Sequence, residues 1–366
     1  MRARRLGGVR SLLFLFCGLT GSCALAGDGS SELPVLRILN WSDYIEIDEE
    51  ADASLPIVAR SPILREFAAR HGCEIDYHEF EDSTEVRALL AAAPHYFDLI
   101  CVSHGDAQEY GGLGLLEAID RERIQMIDVG GIQASFPTLP SEYVYGVPYL
   151  LGTTGIVYRR DQTPPPTWAA FFDDEGPAIG ILSDAELIFA FLLKACGFDP
   201  GTTDPAAFGA AAAKLHHLVE KGRIGLVSSD PDEVAAALAS GSIAWAIHYS
   251  GDVLSMIEEN PDLGYYTPAD GGEVYTDLWC LPVGSKQRDL AYAFVQFISE
   301  AEISAANSAY LGYASPILGA QEILLRDKPE HMKNPAIYLQ PEAAQRLFPV
   351  YGVPELAGMF WRRVFP

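Results

Sequence analysis

Strand-like apolar runs alternate with helical patterns along most of this 366-residue chain, which limits the folds it can adopt. The alternation is typical of α/β proteins in which largely parallel sheets are flanked by helices. Strands are predicted over Val35–Trp41, Glu74–Phe80 and Phe97–Ser103, and helices after Ser61-Pro62 and over Asp82–Ala93 separate them. Five elements in this order predict the opening of a doubly wound domain.

A second series of elements follows the proline-rich turn at 162–166. Its predicted strands are Ile179–Ser183 and Ile243–Tyr249, and its predicted helices are Ala185–Cys196, Pro205–Lys221 and Pro231–Ser240. One more helix is predicted over Leu290–Tyr310. Two α/β lobes of this kind predict a ligand cleft between them, at the carboxyl ends of strands.

The first 26 residues have the pattern of an export signal. Four arginines precede the apolar run Leu12–Leu19, which is too short to span a bilayer comfortably. Two processing sites fit the sequence. Ala24-Leu25-Ala26 is a small-x-small cleavage site, whereas Leu19–Cys23 resembles a lipobox that would make Cys23 a lipidated first residue. Both predict a protein that works outside the cytoplasm, in the periplasm, either free or anchored by a lipid on Cys23.

The acidic balance of the chain argues against nucleic acid or anionic lipid as a partner. It has 25 basic and 50 acidic residues, for a net charge of −25, and loss of the signal's four arginines would leave −29. Neutralising phosphates requires an excess of lysine and arginine. The charge is instead compatible with a cationic partner.

The usual catalytic and metal-binding motifs are missing from the sequence. It contains no G-x-S-x-G elbow, no H-E-x-x-H helix and no phosphate-binding G-x-x-x-x-G-K-[ST] loop. Cys73, Cys101, Cys196 and Cys280 are too widely spaced for a zinc site, and either four buried thiols or one disulfide fits them. We therefore expect no metal, no cofactor and no enzymatic activity.

Aromatic and carboxylate side chains recur together where predicted strands end. The groups are Trp41 with Asp43 and Tyr44, Tyr249 with Asp252, and Tyr275 with Asp277, and Asp184 follows the strand at Ile179. Aromatic faces attract ammonium groups and pack against methylenes, while carboxylates neutralise and orient amines. A ligand that is both aliphatic and polycationic needs both kinds of group.

Several segments in the same order resemble the periplasmic spermidine/putrescine-binding proteins, the substrate-binding subunits of polyamine ABC transporters. The segments are Asn40-Trp41-Ser42-Asp43-Tyr44-Ile45, Phe97–Ser103, Val147–Ile156, Trp168–Phe172, Ile247–Val253, Tyr275-Thr276-Asp277 and Leu311–Pro316. The resemblance implies a two-lobed, type II venus-flytrap fold, each lobe a mainly parallel sheet flanked by helices. It also implies a polyamine in the cleft between the lobes, a monomeric chain and a permease partner in the inner membrane.

The resemblance also implies lobe boundaries and residue roles. The N-terminal lobe would comprise 35–147 and 276–318, and the C-terminal lobe 148–275 and 319–366. The methylenes would be surrounded by Trp41, Tyr249 and Tyr275, with Tyr44 and Tyr313 closing the site. The amines would be bound by Asp43, Asp252 and Asp277, and by Asp184 from the second lobe. Further hydrogen bonds would come from Ser42 and Ser103.

Three positions depart from the family pattern. Tyr249 stands in place of a tryptophan, Leu187 in place of a common glutamate one turn after Asp184, and Gly105 in place of a bulkier residue. Other readings therefore stay open. They are a polyamine sensor for a membrane signalling protein, a binder of another small cationic solute, and an extracytoplasmic enzyme that uses carboxylates as acid and base.

Overall fold

The computed structural model describes residues 33–81, 83–93, 95–350 and 354–365. The predicted export signal, including Cys23, lies outside the described residues. The strands are β1 (Val35–Trp41), β2 (Glu74–Phe80), β3 (Leu99–Ser103), β4 (Val147–Arg159), β5 (Ile179–Ile181), β6 (Ile224–Val227), β7 (Trp245–Tyr249), β8 (Leu263–Tyr266) and β9 (Glu273–Cys280).

Helices occupy most of the remaining chain. The helices are α1 (Ile57–Arg60), α2 (Pro62–His71), α3 (Ser83–Ala92), α4 (His104–Gly112), α5 (Gly131–Ser135), α6 (Trp168–Phe171), α7 (Ala185–Ala195), α8 (Pro205–Glu220), α9 (Pro231–Ser240), α10 (Ser250–Glu259), α11 (Arg288–Ile298), α12 (Ala301–Leu311), α13 (Leu318–Asp327), α14 (Pro329–Lys333), α15 (Pro341–Ala344) and α16 (Pro354–Val364). Arg121–Ile124 forms a short 3₁₀ helix.

The strands form one mixed sheet in the order β2-β1-β3-β9-β4-β7-β5-β6, and β8 pairs with β4. Both ends of this order are parallel, since β1 pairs in parallel with β2 and β3, and β5 with β6 and β7. The middle is antiparallel, through β9 and β4. The predicted fold class, a two-lobed α/β protein with a mainly parallel sheet flanked by helices in each lobe, is confirmed, and the two parallel parts belong to one continuous mixed sheet.

Two strands join the lobes. The first half of β4 pairs with β9, and its second half pairs with β7 and β8. In turn, β9 pairs with β3 at its carboxyl end. Because these crossing strands belong to both halves of the sheet, side chains on them lie where the two lobes meet.

Each lobe has its own apolar core. Trp279 and Phe294 lie in the first core, and Trp168 and Phe191 lie stacked in the second. The chain beyond residue 318 contributes to both lobes, because Ile337 packs with the first lobe and α16 with the second. The lobe boundaries inferred from the resemblance stay a prediction.

Local sequence signals define both ends of α2. The Ser61 side chain accepts a hydrogen bond from the Leu64 amide, Pro62 occupies the first turn, and Gly72 ends the helix in the left-handed conformation at φ 60°. The single helix predicted over Leu290–Tyr310 is wrong. The chain leaves the helical conformation at Glu300 (ψ 138°), so α11 and α12 are two separate helices. The apolar pattern continues across this break, and for that reason it predicts one helix.

The four cysteines beyond the signal are free thiols. Between residues 33 and 365, gaps excepted, no helix is both long and apolar enough to cross a membrane. The same residues contain no cluster of three or more histidine, cysteine or acidic side chains arranged for a metal ion.

A buried aspartate fastens β3 to the segment that follows β9. The Asp98 side chain is 1% exposed and accepts hydrogen bonds from the amides of Arg37, Lys286 and Gln287 and from the Ser285 hydroxyl. These contacts join three separate segments of the first lobe.

Replacing this carboxylate should therefore cost more stability than removing a surface charge. Asp98→Ala leaves amide donors without acceptors in the interior, and we expect it to lower the free energy of unfolding by about 3 kcal/mol or more. Urea denaturation measures the change. Asp262→Ala removes an exposed carboxylate and is the control, and equal losses in both variants would contradict this role of Asp98.

Candidate functional site

Asp277 lies at the first-lobe side of the junction. It is 6% exposed, and the Tyr44 hydroxyl donates a 2.7 Å hydrogen bond to its Oδ2. Asp277 pairs across the sheet with Ser103, the last residue of β3. The carboxyl group therefore sits at the carboxyl end of a parallel strand, where ligands of open α/β sheets bind.

A hydrogen-bond network holds Tyr44 in this position. The Tyr149 hydroxyl donates to the Tyr44 carbonyl at 2.7 Å, and Asn40 Nδ2 donates to the same oxygen at 3.1 Å. Asn307 Nδ2 donates to the Tyr149 hydroxyl at 2.8 Å. Because Asn40 and Asn307 are buried, the segment after β1 has a fixed conformation and aims the Tyr44 hydroxyl at Asp277.

A second carboxylate, which is half-buried, lies close to Asp277. Asp106, in the first turn of α4, accepts a 2.7 Å hydrogen bond from the Ser103 hydroxyl and a 3.3 Å bond from the Tyr110 hydroxyl. Ser103 also caps α4 by accepting from the Asp106 amide. The Ser103 hydroxyl is therefore engaged with Asp106, and its predicted bond to a ligand stays a prediction.

The second-lobe side of the junction also carries carboxylates. Asp184 caps α7 by accepting from the Leu187 amide at 3.0 Å, and its Oδ2 accepts from the Tyr249 hydroxyl at 3.2 Å. Thr154 of β4 pairs with Tyr249 on one side and with Glu273 on the other. The Thr154 hydroxyl donates to Glu273 Oε2 at 2.5 Å, and Glu273 is 9% exposed.

A line of tyrosine rings connects the two sides. Ring centroids are 5.7 Å apart between Tyr249 and Tyr275, 6.5 Å between Tyr275 and Tyr313, and 5.2 Å between Tyr313 and Tyr44. Glycines make room for two of these rings. A Cβ on Gly152 would lie 2.3 Å from the Tyr275 ring, and a Cβ on Gly251 would lie 2.1 Å from the Tyr313 ring.

The other predicted site residues lie at the margins of this line. Trp41 packs on Phe80 with a centroid distance of 4.3 Å, and Ser42 donates to the Phe80 carbonyl. Asp43 is exposed in a left-handed turn (φ 54°). Asp252, in the first turn of α10, lies 3.5 Å from His248 Nδ1. The structure thus brings together Tyr44, Asp184, Tyr249, Tyr275, Asp277 and Tyr313, and the ligand roles of all these residues remain predictions.

Burial controls the electrostatics of the site. It raises the pKa of Asp277 to about 7, opposed by the Tyr44 hydrogen bond, and raises the pKa of Asp106 to about 6. Burial also raises the pKa of Glu273 to about 8, with Asp184, Glu186 and Asp277 adding to the effect by repulsion. Among the described residues, no lysine or arginine forms an ion pair with Asp106, Glu273 or Asp277. The site therefore has a deficit of positive charge.

Sequence reasoning missed Glu273 and Asp106. The signal for Glu273 was present, because successive side chains of a strand alternate between faces and Glu273, Tyr275 and Asp277 therefore share one face of β9. For Asp106 the signal was its place three residues after the capping Ser103. The site as built can bind a chain with separated cationic groups, since carboxylates stand at both sides and aromatic faces lie between them.

The chain matches known proteins in three respects: a family model, relatives in sequence and solved structures. Residues 63–337 match the family model of the bacterial extracellular solute-binding proteins. The chain is 23% identical to the putrescine-binding periplasmic protein PotF of Escherichia coli K12, over 90% of this chain and 91% of that one. It is 29% identical to a norspermidine sensor of Vibrio cholerae, over 56% of each chain. The crystal structure of the spermidine/putrescine substrate-binding protein PotD from Streptococcus pneumoniae superimposes with a TM-score of 0.72 at 23% identity, covering 91% of this chain and 97% of that one.

The Tyr44 hydroxyl favours the ionised form of Asp277, so removing it should raise the pKa of that carboxyl. We expect Tyr44→Phe to move the Asp277 pKa upward from about 7, measured by carbon-detected NMR titration of the carboxyl groups. Tyr292→Phe is the control, since the Tyr292 hydroxyl instead accepts a hydrogen bond from the Asp120 amide. An Asp277 pKa that is unchanged or lower in Tyr44→Phe would contradict the assignment.

Proposed function

Because the chain belongs to the bacterial extracellular solute-binding protein family, we propose that it is a non-enzymatic binding protein that captures a polyamine, putrescine or spermidine. The proposal extends to its delivery: the ligand-bound form would pass the polyamine to an ABC permease in the inner membrane. The relatives named above as putrescine-binding and spermidine/putrescine-binding proteins support this assignment.

One observation carries the ligand class. Asp277 and Glu273 are buried on one face of β9 without a basic partner among the described residues, and Tyr275 lies between them along the strand. A buried carboxylate is costly unless it is paired or protonated. A polyamine would supply ammonium groups for the carboxylates and methylenes for the ring. An anionic or neutral solute would leave both carboxylates unpaired.

The two-lobed fold gives the transport step a physical basis. A ligand that contacts both lobes favours the closed arrangement, because only the closed arrangement makes both sets of contacts. The permease would distinguish this closed form from the open one. The strongly negative charge, −29 once the signal is removed, would attract a cation and speed its capture, an effect that salt should weaken.

A second candidate function is polyamine sensing. The similarity to a norspermidine sensor favours it, and in that case the closed form would be recognised by a membrane signalling protein. The two roles share the ligand and differ in the partner. Co-purification with either a permease or a signalling protein separates them.

We also propose that residues 1–26 export the chain and that it works in the periplasm as a monomer. Lipid attachment at Cys23 would anchor it to the membrane, whereas cleavage after Ala26 would release it. Mass spectrometry of the mature amino terminus distinguishes a lipidated Cys23 from a free start at Gly27.

Binding is tested by isothermal titration calorimetry of the mature chain, residues 27–366, with putrescine, cadaverine, spermidine, spermine and control amino acids. Melting temperatures with the same ligands provide a second readout, since a ligand that binds only the folded state raises them. Binding of one or two polyamines supports the proposal. Absence of binding to all four would refute it.

In the proposed function, Asp277 binds one amine of the polyamine. We expect Asp277→Asn to weaken polyamine binding by about tenfold or more, because it removes the charge that neutralises an amine and keeps the shape of the side chain. Calorimetry gives the affinities, and Asp262→Asn, an exposed position, controls for net charge. Unchanged affinity in Asp277→Asn would reject its role.

The raised pKa values predict how affinity depends on pH. A bound ammonium group lowers the pKa of a nearby carboxyl, so binding to Asp277 (pKa about 7) and Glu273 (pKa about 8) releases protons. Affinity should therefore rise from about pH 6 to about pH 8.5, where aliphatic amines are still charged. Calorimetry in buffers of different ionisation enthalpy counts the protons released. Affinity that falls over this range, or proton uptake, would contradict the prediction.

A further inference from the structure

Glu273 occupies a position in the site that the resemblance assigned to no function. It lies four residues before Asp277 on the same face of β9, so the two Cα atoms are about 13 Å apart along the strand. Glu273 Oε2 is held by the Thr154 hydroxyl, and Oε1 makes no hydrogen bond among the described residues. A side chain this deeply buried therefore keeps one acceptor atom unused.

The surroundings of Glu273 belong to the second-lobe side of the site. Thr154, which bonds Glu273, pairs on its other side with Tyr249, whose hydroxyl reaches Asp184. The usual acidic partner of Asp184 is absent, because Leu187 stands one turn after it and is 3% exposed within the second apolar core. Compared with the family pattern, the second-lobe side of the site therefore lacks one carboxylate on α7 and has Glu273 on β9.

We propose that Glu273 binds the second amine of the ligand and that its spacing from Asp277 selects a short diamine such as putrescine over the longer spermidine. This assignment rests on the proposed polyamine function. An extended four-carbon diamine, with a charge-assisted hydrogen bond of about 2.8 Å at each end, spans a distance comparable to the about 13 Å between the Cα atoms of the two residues. Tyr275 lies at the midpoint of this span and contacts the methylenes. An additional aminopropyl group would extend beyond one of the two carboxylates.

The raised pKa of Glu273 is compatible with this role. Burial and the neighbouring carboxylates favour its protonated form in the empty site. The arrival of a second ammonium group reverses this preference, because an adjacent cation stabilises the ionised form.

The test compares a diamine with a monoamine of the same length. Calorimetry of the mature chain with putrescine and n-butylamine gives the contribution of the second amine, and the same pair is measured for Glu273→Gln. We expect the substitution to reduce the preference for putrescine over n-butylamine by about tenfold or more, with little change in n-butylamine binding. Glutamine retains the bond from Thr154, and Glu220→Gln, at an exposed position on α8, controls for net charge.

A second variant tests the spacing itself. Glu273→Asp keeps the charge and withdraws it by one methylene, so we expect the preferred diamine to change from putrescine towards cadaverine, which is one methylene longer. A residue with a purely structural role would not change the preferred length. Melting temperatures of the ligand-free variants show whether each one is folded.

The outcomes separate this assignment from the general function. If the unaltered chain binds polyamines and Asp277→Asn weakens binding, but Glu273→Gln leaves the putrescine preference unchanged, the role of Glu273 is overturned and the polyamine function stands. Equal losses for putrescine and n-butylamine in Glu273→Gln also overturn it. If the unaltered chain binds none of the amines, the polyamine function itself fails, and the role of Glu273 fails with it.

Discussion

The burial of several carboxylates at one junction, without matching basic side chains, is the constraint that governs the site. Asp106, Glu273 and Asp277 are held by hydroxyl donors from Ser103, Thr154 and Tyr44, and these neutral groups offset only part of the cost of removing a charge from water. The rest of the cost appears as raised pKa values. A cation that enters the junction relieves this cost, whereas an anion increases it. Selectivity for charge therefore follows from the folded structure before any ligand-specific contact is considered.

The crossing strands fix where these carboxylates lie relative to one another. Because β9 is extended, its alternate side chains form a row of fixed spacing, with carboxylates at Glu273 and Asp277 and Tyr275 between them along the strand. Pairing of β9 with β3 and β4 fixes the two ends of the row relative to both lobes. Gly152 lies opposite Tyr275 because the ring occupies the space that a Cβ would need. The distance between the carboxylates is thus a property of the backbone, which resists small adjustments better than flexible loops do.

Much of the fold was accessible from sequence because its signals are local. Ser61, Pro62 and Gly72 fix the ends of α2 through capping and backbone conformation, and the strand and helix periods identify the α/β class. The break between α11 and α12 was missed because the apolar pattern runs through it and only the backbone at Ser299 and Glu300 departs from the helix. For the candidate site, the sequence pattern singles out the strand-end tyrosines and aspartates, and their roles in binding remain predictions. The engagement of Asp184 with Tyr249, and of Ser103 with Asp106, depends on tertiary contacts that no local pattern encodes.

Linkage connects the site to the stability of the whole protein. Asp277 and Glu273 have folded-state pKa values of about 7 and about 8, above the value of about 4 that carboxyl groups have in an unfolded chain. Between these values the folded protein holds more protons than the unfolded one, so the contribution of both groups to stability falls as pH rises from about 4 to about 8. In the ligand-free protein, ionising these two groups therefore opposes folding. Under the proposed function, a bound diamine would lower both pKa values and remove this penalty, so ligand binding and burial of the two carboxyl groups would favour each other.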